Sequence, residues 1–367
     1  MKHILENKKI ILLLLAVDVL VMALVFSVSG FFNDGVDTTI YVSQINQFDR
    51  GVFDLADTKA SLRFFKPFYG VVGLWLVPFL SPYSAIFLMN VSFFILLSIV
   101  SFFLFLELGF DKKFSVAGAM WVITGYPMLK YGLALGTDAA GWFFSALTIL
   151  AVLIGSRLSR TRYFILAALI GFLGALTKES GVLGLVFGGV YILVHIGVWN
   201  YKKIVNFLAG LVLPFLILEA FFLFIMAKSG FPTFLDWYSL NLSSYAKEYY
   251  KLFYFIGVEA SSFNIILVFS LFGIFYAIKK KEFLSREWLA RFSGLFVASL
   301  PVLMWPIFIS RILYIQFLFF IPLALFGVAN AKILNRYLFV LPPLFNIFLF
   351  LISGNNSLFE IFKNLLK

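Results

Sequence analysis

The chain has no cysteine, only two histidines and few charged residues. Its 367 residues include 29 Lys and Arg and 18 Asp and Glu, so that charged residues make up 13% of the total. The absence of cysteine excludes disulfides, thiol nucleophiles and cysteine-ligated metals. Because His3 and His195 are the only histidines, histidine catalysis is nearly excluded. A catalytic acid or base must therefore be a carboxylate, a lysine or a tyrosine.

Hydrophobic residues instead make up 62% of the chain, a composition that soluble domains do not have. The chain is therefore predicted to be an all-α polytopic membrane protein. Its net charge of +11 does not indicate a nucleic-acid partner, because the basic residues occur in short clusters between apolar runs. No glycine-, serine- or proline-rich linker divides the chain, so we expect a single domain over residues 1–367.

Apolar runs recur along the chain, and a bilayer crossing needs about 20 residues of this kind. The eleven predicted spans are 10–32, 85–106, 114–129, 139–155, 163–176, 181–199, 204–227, 261–278, 292–309, 312–331 and 337–352. Segment 68–80 is shorter and contains Gly70, Gly73 and Pro78, which favours a re-entrant or surface helix. If it does not cross, most basic clusters between spans lie on the cytoplasmic side with the N-terminus. We expect the membrane to be the plasma membrane of a prokaryote.

With this topology, the polar loop 33–67 faces away from the cytoplasm. Together with its juxtamembrane helices it forms region 33–84, the candidate catalytic loop. The second outer loop, 228–260, is aromatic, and its rings suit either the lipid headgroup level or stacking on a sugar or polyprenyl chain. Residues 353–367 have apolar side chains at helical spacing, which predicts an amphipathic helix on the outer surface.

Polar residues that interrupt the apolar pattern on the outer side are the candidate site residues. They are Asp34, Asp37, Arg63, Lys66, Asp138, Lys178, Glu179 and Arg311. Carboxylates can accept a proton and cations can hold a phosphate. Transfer from a phosphate-linked donor requires both.

Structural roles are the alternative for these residues. Asp34 and Asp37 could cap the amphipathic helix predicted after them. Asp138 could favour a helix N-terminus, and the pair Lys178–Glu179 suits a solvated turn. Arg311 could extend to the membrane interface. The residues alone leave both sets of roles open.

Five short motifs stand in a recognisable order along the chain. They are Asp37-Thr38-Thr39-Ile40-Tyr41, Lys66-Pro67-Phe68-Tyr69-Gly70, Asp138 before a span, Ala175-Leu176-Thr177-Lys178, and Arg311 before Ile321-Pro322. This order resembles the GT-C superfamily of membrane glycosyltransferases. The branch that it resembles most uses dolichyl- or polyprenyl-phosphate sugars and includes protein O-mannosyltransferases and bacterial aminoarabinose transferases. Two departures are that only one proline follows Lys66 and that Thr38 replaces the usual second acid.

The resemblance implies a GT-C-like transmembrane bundle and an inverting sugar transfer on the extracytoplasmic side. Asp37 would be the general base toward an acceptor hydroxyl, Asp138 would support the acceptor or orient Asp37, and Asp34 is a further acid of the same loop. The residues implied to hold the departing polyprenyl phosphate are Lys66, Lys178, Arg311 and Arg63. The residues predicted to contact the substrates are Tyr41, Glu179, Tyr69, Trp237 and Tyr238.

Two other function classes remain open. A transporter or flippase for a lipid-linked anion needs charged residues in the bundle interior and often an internal repeat. Asp18 and Glu219 are the candidate charged residues of the interior, and no internal repeat is evident. The third class is a non-catalytic membrane partner in a glycan-assembly complex. No cofactor is required, although carboxylates and phosphate suit a divalent cation whose charge lysine and arginine could replace.

Overall fold

The computed structural model describes residues 6–31, 37–53, 64–196, 200–234, 236, 238–239, 252–280, 285–301, 310–331 and 339–354. These residues are mainly helical, and no β-strand occurs among them. The prediction of an all-α fold is therefore confirmed for the described part of the chain. Its long apolar helices are those expected of a multi-pass membrane protein.

Fifteen helices follow one another along the described residues. They are α1 (Lys8–Ser29), α2 (Thr38–Arg50), α3 (Phe68–Leu76), α4 (Pro82–Glu107), α5 (Lys112–Ile123), α6 (Asp138–Leu158), α7 (Thr161–Ala175), α8 (Leu183–Ile196), α9 (Tyr201–Lys228), α10 (Leu252–Phe263), α11 (Ile265–Lys280), α12 (Arg286–Ser299), α13 (Ser310–Leu313), α14 (Phe317–Asn330) and α15 (Leu341–Gly354). A π-helical turn and two 3-10 turns lie at Met128–Gly132, Glu179–Val182 and Tyr314–Gln316.

Six described helical segments are long and apolar enough to cross a membrane, or seven if the bent pair α10–α11 is one span. The six are Lys8–Ser29, Pro82–Glu107, Asp138–Leu158, Glu179–Ile196, Tyr201–Lys228 and Ser310–Asn330. The predicted count of eleven is not confirmed. Helices α5, α7 and α12 overlap predicted spans but have only 12, 15 and 14 residues. A helix of that length rises about 18–23 Å, which is less than the roughly 30 Å hydrocarbon core.

The predicted re-entrant or surface segment 68–80 contains the nine-residue helix α3. A helix of this length rises only about 13 Å and cannot cross a bilayer. It packs tightly on α2, because Gly70 lies against Phe48 and Gly73 lies against Ile45. A Cβ atom on Gly73 would come within 2.6 Å of Ile45 Cγ1. The described part of region 33–84 therefore includes two short helices that pack together and against α4.

Two spans form the centre of the bundle. Buried residues make up 89% of the most apolar stretch of α6 and 78% of that of Ser310–Asn330, against 11% in α9. Helix α9 thus exposes an apolar surface suited to lipid. Helix α6 begins at Asp138, and Arg311 is the second residue of the other central span. The best-buried spans therefore fix the positions of two candidate site residues.

Candidate functional site

Asp37, Asp138, Lys178 and Arg311 form one charged cluster at one end of the bundle. Arg311 Nη1 lies 3.5 Å from Asp37 Oδ2 and 3.8 Å from Asp138 Oδ2. Lys178 Nζ forms an ion pair with Asp138. The four side chains are at most 13% exposed. Four residues that the sequence selected separately are therefore neighbours, and neither a solvated turn nor extension to the interface describes Lys178 or Arg311.

A second ion pair joins Lys66 to Glu179. The Lys66 side chain is 1% exposed, and its Nζ lies 4.9 Å from the centroid of the Phe65 ring. Lys178 has an extended backbone, with φ −158° and ψ 147°, so its side chain and that of Glu179 point in different directions. The Lys178–Glu179 turn thereby links the two ion pairs. The six charged residues comprise three cations and three carboxylates, and their formal charges cancel.

Glycines allow this turn to approach helix α6. Gly174 and Gly181 are in contact, and a Cβ atom on Gly181 would lie 2.5 Å from Gly174 Cα. A Cβ atom on Gly141 would lie 2.6 Å from Ser180 Oγ and 3.0 Å from Lys178 Cβ. The backbone N–H of Lys178 also donates to the Gly174 carbonyl at 2.8 Å. This close packing brings Lys178 to the first turn of α6.

Asp37 directly precedes α2, but its side chain makes no capping hydrogen bond to that helix. It accepts a hydrogen bond from Arg311 instead. The neighbouring Thr38 anchors the start of α2, because its hydroxyl donates to the Leu135 carbonyl at 2.7 Å. Leu135 lies just before Asp138, so this bond holds the two carboxylates near each other. Capping therefore does not account for the position of Asp37.

Two tyrosines that were predicted to contact the substrates, Tyr41 and Tyr69, are each 1% exposed. The Tyr41 hydroxyl lies 3.0 Å from Thr137 Oγ1, and the Tyr69 hydroxyl donates to Asn90 Oδ1 at 2.5 Å. Asn90 Nδ2 donates in turn to the Ala134 carbonyl at 2.5 Å. Burial raises the pKa of the Tyr69 hydroxyl well above its usual range, and the nearby Tyr41 and Asp138 add to this effect. The hydroxyl therefore keeps its proton and can donate. In this structure both phenols therefore support the segment that precedes α6.

Sequence reasoning did not select Asn90, although it is a polar residue within a predicted span. A polar side chain in hydrocarbon is costly unless it has a hydrogen-bond partner. An asparagine within an apolar run therefore indicates a buried polar contact. The sequence does not show that its partners would be Tyr69 and the Ala134 carbonyl. A buried amide that connects three elements is visible only once the helices are placed.

The protonation of Lys178 depends on its surroundings. Burial lowers the pKa of Lys178 below the usual lysine range. Asp138 opposes this effect and Arg311 adds to it. The ammonium form thus depends on the carboxylate beside it.

Other predicted site residues lie away from this cluster or outside the described residues. Tyr238 is half-buried, with its ring centroid 5.9 Å from that of Phe234. Phe234 packs on Phe65, the residue before Lys66, with ring centroids 5.7 Å apart. Three predicted site residues lie outside the described part of the chain, namely Asp34, Arg63 and Trp237. So do residues 355–367 of the predicted amphipathic tail and much of loop 228–260.

Glu259 is a buried acid that sequence reasoning did not select, because it lies at the edge of the predicted second outer loop. It is 6% exposed. With the Gln316 amide oriented to donate, its nitrogen lies 3.0 Å from Glu259 Oε2. Asp18 in α1 is likewise fully buried. The described helices therefore contain two interior carboxylates besides the charged cluster.

Within the described ranges, no group of three or more His, Asp or Glu side chains that could hold a metal ion occurs. Cations of the protein itself contact the carboxylates of the cluster. No family model, no curated protein and no solved structure matches this chain. The resemblance to the GT-C superfamily therefore stays a prediction, and the geometry of the site carries the functional argument.

Proposed function

We propose that this protein is an inverting glycosyltransferase that moves a sugar from a polyprenyl- or dolichyl-phosphate carrier to a hydroxyl of a lipid, glycan or protein. The observation that supports this most is the contact of one guanidinium, that of Arg311, with both Asp37 and Asp138. The attacking oxygen and the leaving phosphate flank the same anomeric carbon. A base and a phosphate-binding cation must therefore reach opposite faces of one sugar, and Asp37 and Arg311 are near enough to do so once Arg311 turns from Asp37 to the phosphate.

In the proposed reaction the acceptor oxygen attacks the anomeric carbon on the face opposite the phosphate. Asp37 takes the hydroxyl proton as the new carbon–oxygen bond forms. The bond between the anomeric carbon and the phosphate oxygen breaks, and its electron pair leaves with the polyprenyl phosphate. Lys178 and Arg311 stabilise this charge, while Asp138 orients both cations. Lys66 and Arg63 are the further cations that we propose for the phosphate.

Donor binding must change the ion pairs of the cluster. Arg311 and Lys178 both contact carboxylates in this structure, and a phosphate oxygen would compete for them. When Arg311 turns to the phosphate, Asp37 loses a cation that favours its ionised form, and it becomes a stronger base. Donor binding and activation of the base are thus coupled.

We also propose a GT-C-like bundle of about eleven crossings, with a cytoplasmic N-terminus and an extracytoplasmic site in the plasma membrane of a prokaryote. Support comes from the agreement in position between the predicted spans and the shorter helices α5, α7 and α15, and from the partial overlap of α12 with the predicted span 292–309.

A flippase or transporter for a lipid-linked anion is the second candidate, and the two interior acids favour it. Asp18 and Glu259 are buried within apolar helices, where ionisable groups commonly belong to a transport or proton pathway. The same outer cations would then bind the phosphate of the transported lipid. Glu219, by contrast, lies on α9, the least buried of the six candidate spans.

A donor-release assay separates these functions. Purified protein receives polyprenyl-phosphate sugars one at a time, and the release of free polyprenyl phosphate is followed. We expect release with one donor, its loss in Asp37→Asn, and its retention in Asp49→Asn, which removes an exposed carboxylate from helix α2, the helix directly after Asp37. Lipid movement across vesicle membranes without release by any donor would assign the chain to the flippase class.

A further inference from the structure

A cavity of about 120 Å³ lies at the end of the bundle away from Asp37. Its charged and aromatic lining residues are Glu107, Arg157, Tyr191, His195, Glu287 and Arg291. Helix α6 joins the two ends, because it begins at Asp138 in the cluster and reaches the cavity at Arg157, about 28 Å away along its axis. The volume is several times the roughly 10–15 Å³ that a single water needs on the same measure, which is enough for a phosphate group.

The charged side chains that line the cavity are Arg157 and Arg291 against Glu107 and Glu287, and their formal charges cancel. Two further cations, Arg286 and Lys203, lie close enough to act electrostatically on His195. With these two included, the cations near the cavity exceed the carboxylates by two. Arg157 makes two hydrogen bonds to Glu107, at 2.8 and 2.9 Å, and Arg291 pairs with Glu287. The excess charge favours an anionic ligand.

Two buried nitrogens of the lining have no hydrogen-bond partner among the residues that the structure describes. They are Arg291 Nε and His195 Nδ1. Arg291 is held in place because its Nη1 donates to the Leu108 carbonyl at 2.9 Å. The His195 ring stacks on Tyr191, with centroids 5.0 Å apart and an interplanar angle of 10°. A buried donor without an acceptor is costly, so a ligand that brings oxygen acceptors would relieve that cost.

The existing partners leave room for such a ligand. Glu287 is 57% exposed and pairs with Arg291 at the i,i+4 spacing, an arrangement that contributes little and is readily exchanged. The helix ends nearby do not repel an anion strongly, because arginines bind their carbonyls. Arg291 binds Leu108 after α4, and Arg286 donates to the Val194 carbonyl of α8 at 2.9 Å. The negative ends of two helices are thus neutralised.

We propose that this cavity binds a phosphate ester, namely the headgroup of an anionic membrane lipid, at the bilayer face opposite the transfer site. Phosphate oxygens would accept hydrogen bonds from Arg291 Nε, from the half-exposed Arg157 and from His195. Arginine forks match phosphate geometry, and basic cavities between helices near the membrane surface select anionic headgroups. The inference does not depend on the proposed sugar transfer.

The test uses the full chain in phosphatidylcholine nanodiscs, with and without phosphatidylglycerol. Thermal unfolding gives stabilisation, and native mass spectrometry gives the number of lipids retained. We expect phosphatidylglycerol to stabilise the wild type and its apparent affinity to fall about tenfold in Arg157→Gln and in His195→Phe. The His195→Phe variant keeps an aromatic ring for stacking, and both variants leave the Arg291 contact with Leu108 intact. Lys112→Gln, an exposed lysine on α5 outside the cavity, is the matched control and should bind as the wild type does.

Equal stabilisation by phosphatidylcholine alone would overturn the proposal. So would an equal loss of affinity in Lys112→Gln, since that would reflect the overall basic charge of this end and no particular site. Inorganic phosphate is added in a separate arm. If it stabilises the wild type as well as phosphatidylglycerol does, and the Arg157→Gln variant loses that effect, the site binds phosphate but its ligand is not a lipid.

Discussion

Arg311 connects the two carboxylates of the candidate site, because its guanidinium contacts Asp37 and Asp138 at once. Lysine keeps the charge but loses the planar fork that can bind two oxygen atoms. We therefore expect Arg311→Lys to lower kcat/KM for the lipid-phosphate donor by about 10- to 100-fold. Steady-state kinetics with varied donor measures this, and Arg50→Lys, at the exposed end of α2, is the control. Unchanged donor kinetics in Arg311→Lys would remove Arg311 from the phosphate-binding role.

We expect the activity to depend on pH through the protonation of Lys178. Burial lowers the pKa of its ammonium group, so Lys178 loses its charge at a lower pH than an ordinary lysine, whose pKa is about 10.4. The wild type should therefore lose donor binding as the pH rises toward that value. Arginine remains charged throughout this range, so Lys178→Arg should keep donor binding on the alkaline side. The measurement is kcat/KM as a function of pH for both proteins. Identical alkaline limbs would show that another group titrates.

Most residues of the cluster could be selected from the sequence because they are charged residues within or next to apolar runs. Asp37, Asp138, Lys178 and Arg311 each interrupt an apolar run, and burying an ionisable group in such a place requires a reason. Their pairing was not visible, since it depends on which helix ends meet. The sequence could not decide between capping and chemistry for Asp37, because both need a carboxylate at the same position. The structure distinguishes the two roles, because the Asp37 side chain makes no capping hydrogen bond to α2.

The Lys178–Glu179 turn packs closely on the first turn of α6, and a substitution at Gly141 tests whether the site needs this contact. Alanine at this position would place a Cβ atom 2.6 Å from Ser180 Oγ and 3.0 Å from Lys178 Cβ, so the Ser180 side chain must rotate and Lys178 must shift from its present position. We expect Gly141→Ala to lower both the melting temperature and the transfer rate. Gly189→Ala is the matched control, because a Cβ atom there has nothing within 4 Å. In that helix alanine should be neutral or stabilising by about 0.5–1 kcal/mol.

If both variants melt and turn over as the wild type does, the turn does not depend on the close contact at Gly141. If both lose stability equally, the effect belongs to helical glycines in general. The expected result is a loss confined to Gly141→Ala.

Element type was predictable from composition, whereas element length and direction were not. The glycines and the proline of segment 68–80 indicated a short helix, and α3 has only nine residues. The predicted span 261–278, however, includes a break at which the chain turns by 95°. Asn264 adopts a positive φ of 37° at this break, a conformation that asparagine tolerates better than most residues. A single asparagine in an apolar run does not reveal which conformation it adopts.

At the scale of the whole molecule, the absence of cysteine makes the predicted orientation directly testable. Single cysteines introduced at Asp49 in α2 and Lys202 in α9 lie at exposed positions. We expect a membrane-impermeant maleimide to label Asp49→Cys on intact cells, and Lys202→Cys only after permeabilisation. The unmodified chain has no thiol and provides the background. Labelling of both positions on intact cells, or of Lys202→Cys alone, would contradict the predicted topology.

We propose that Asp37 is the base of a lipid-phosphate sugar transfer and that Arg311 binds the phosphate. The most direct test measures polyprenyl-phosphate binding and sugar transfer on one preparation of Asp37→Asn. Asparagine cannot accept the proton, so transfer should fall by about 10²–10⁴-fold. Binding should be kept or tightened, because Arg311 no longer pairs with the Asp37 carboxylate. Retained transfer, or a loss of transfer that follows entirely from a loss of binding, would contradict the account.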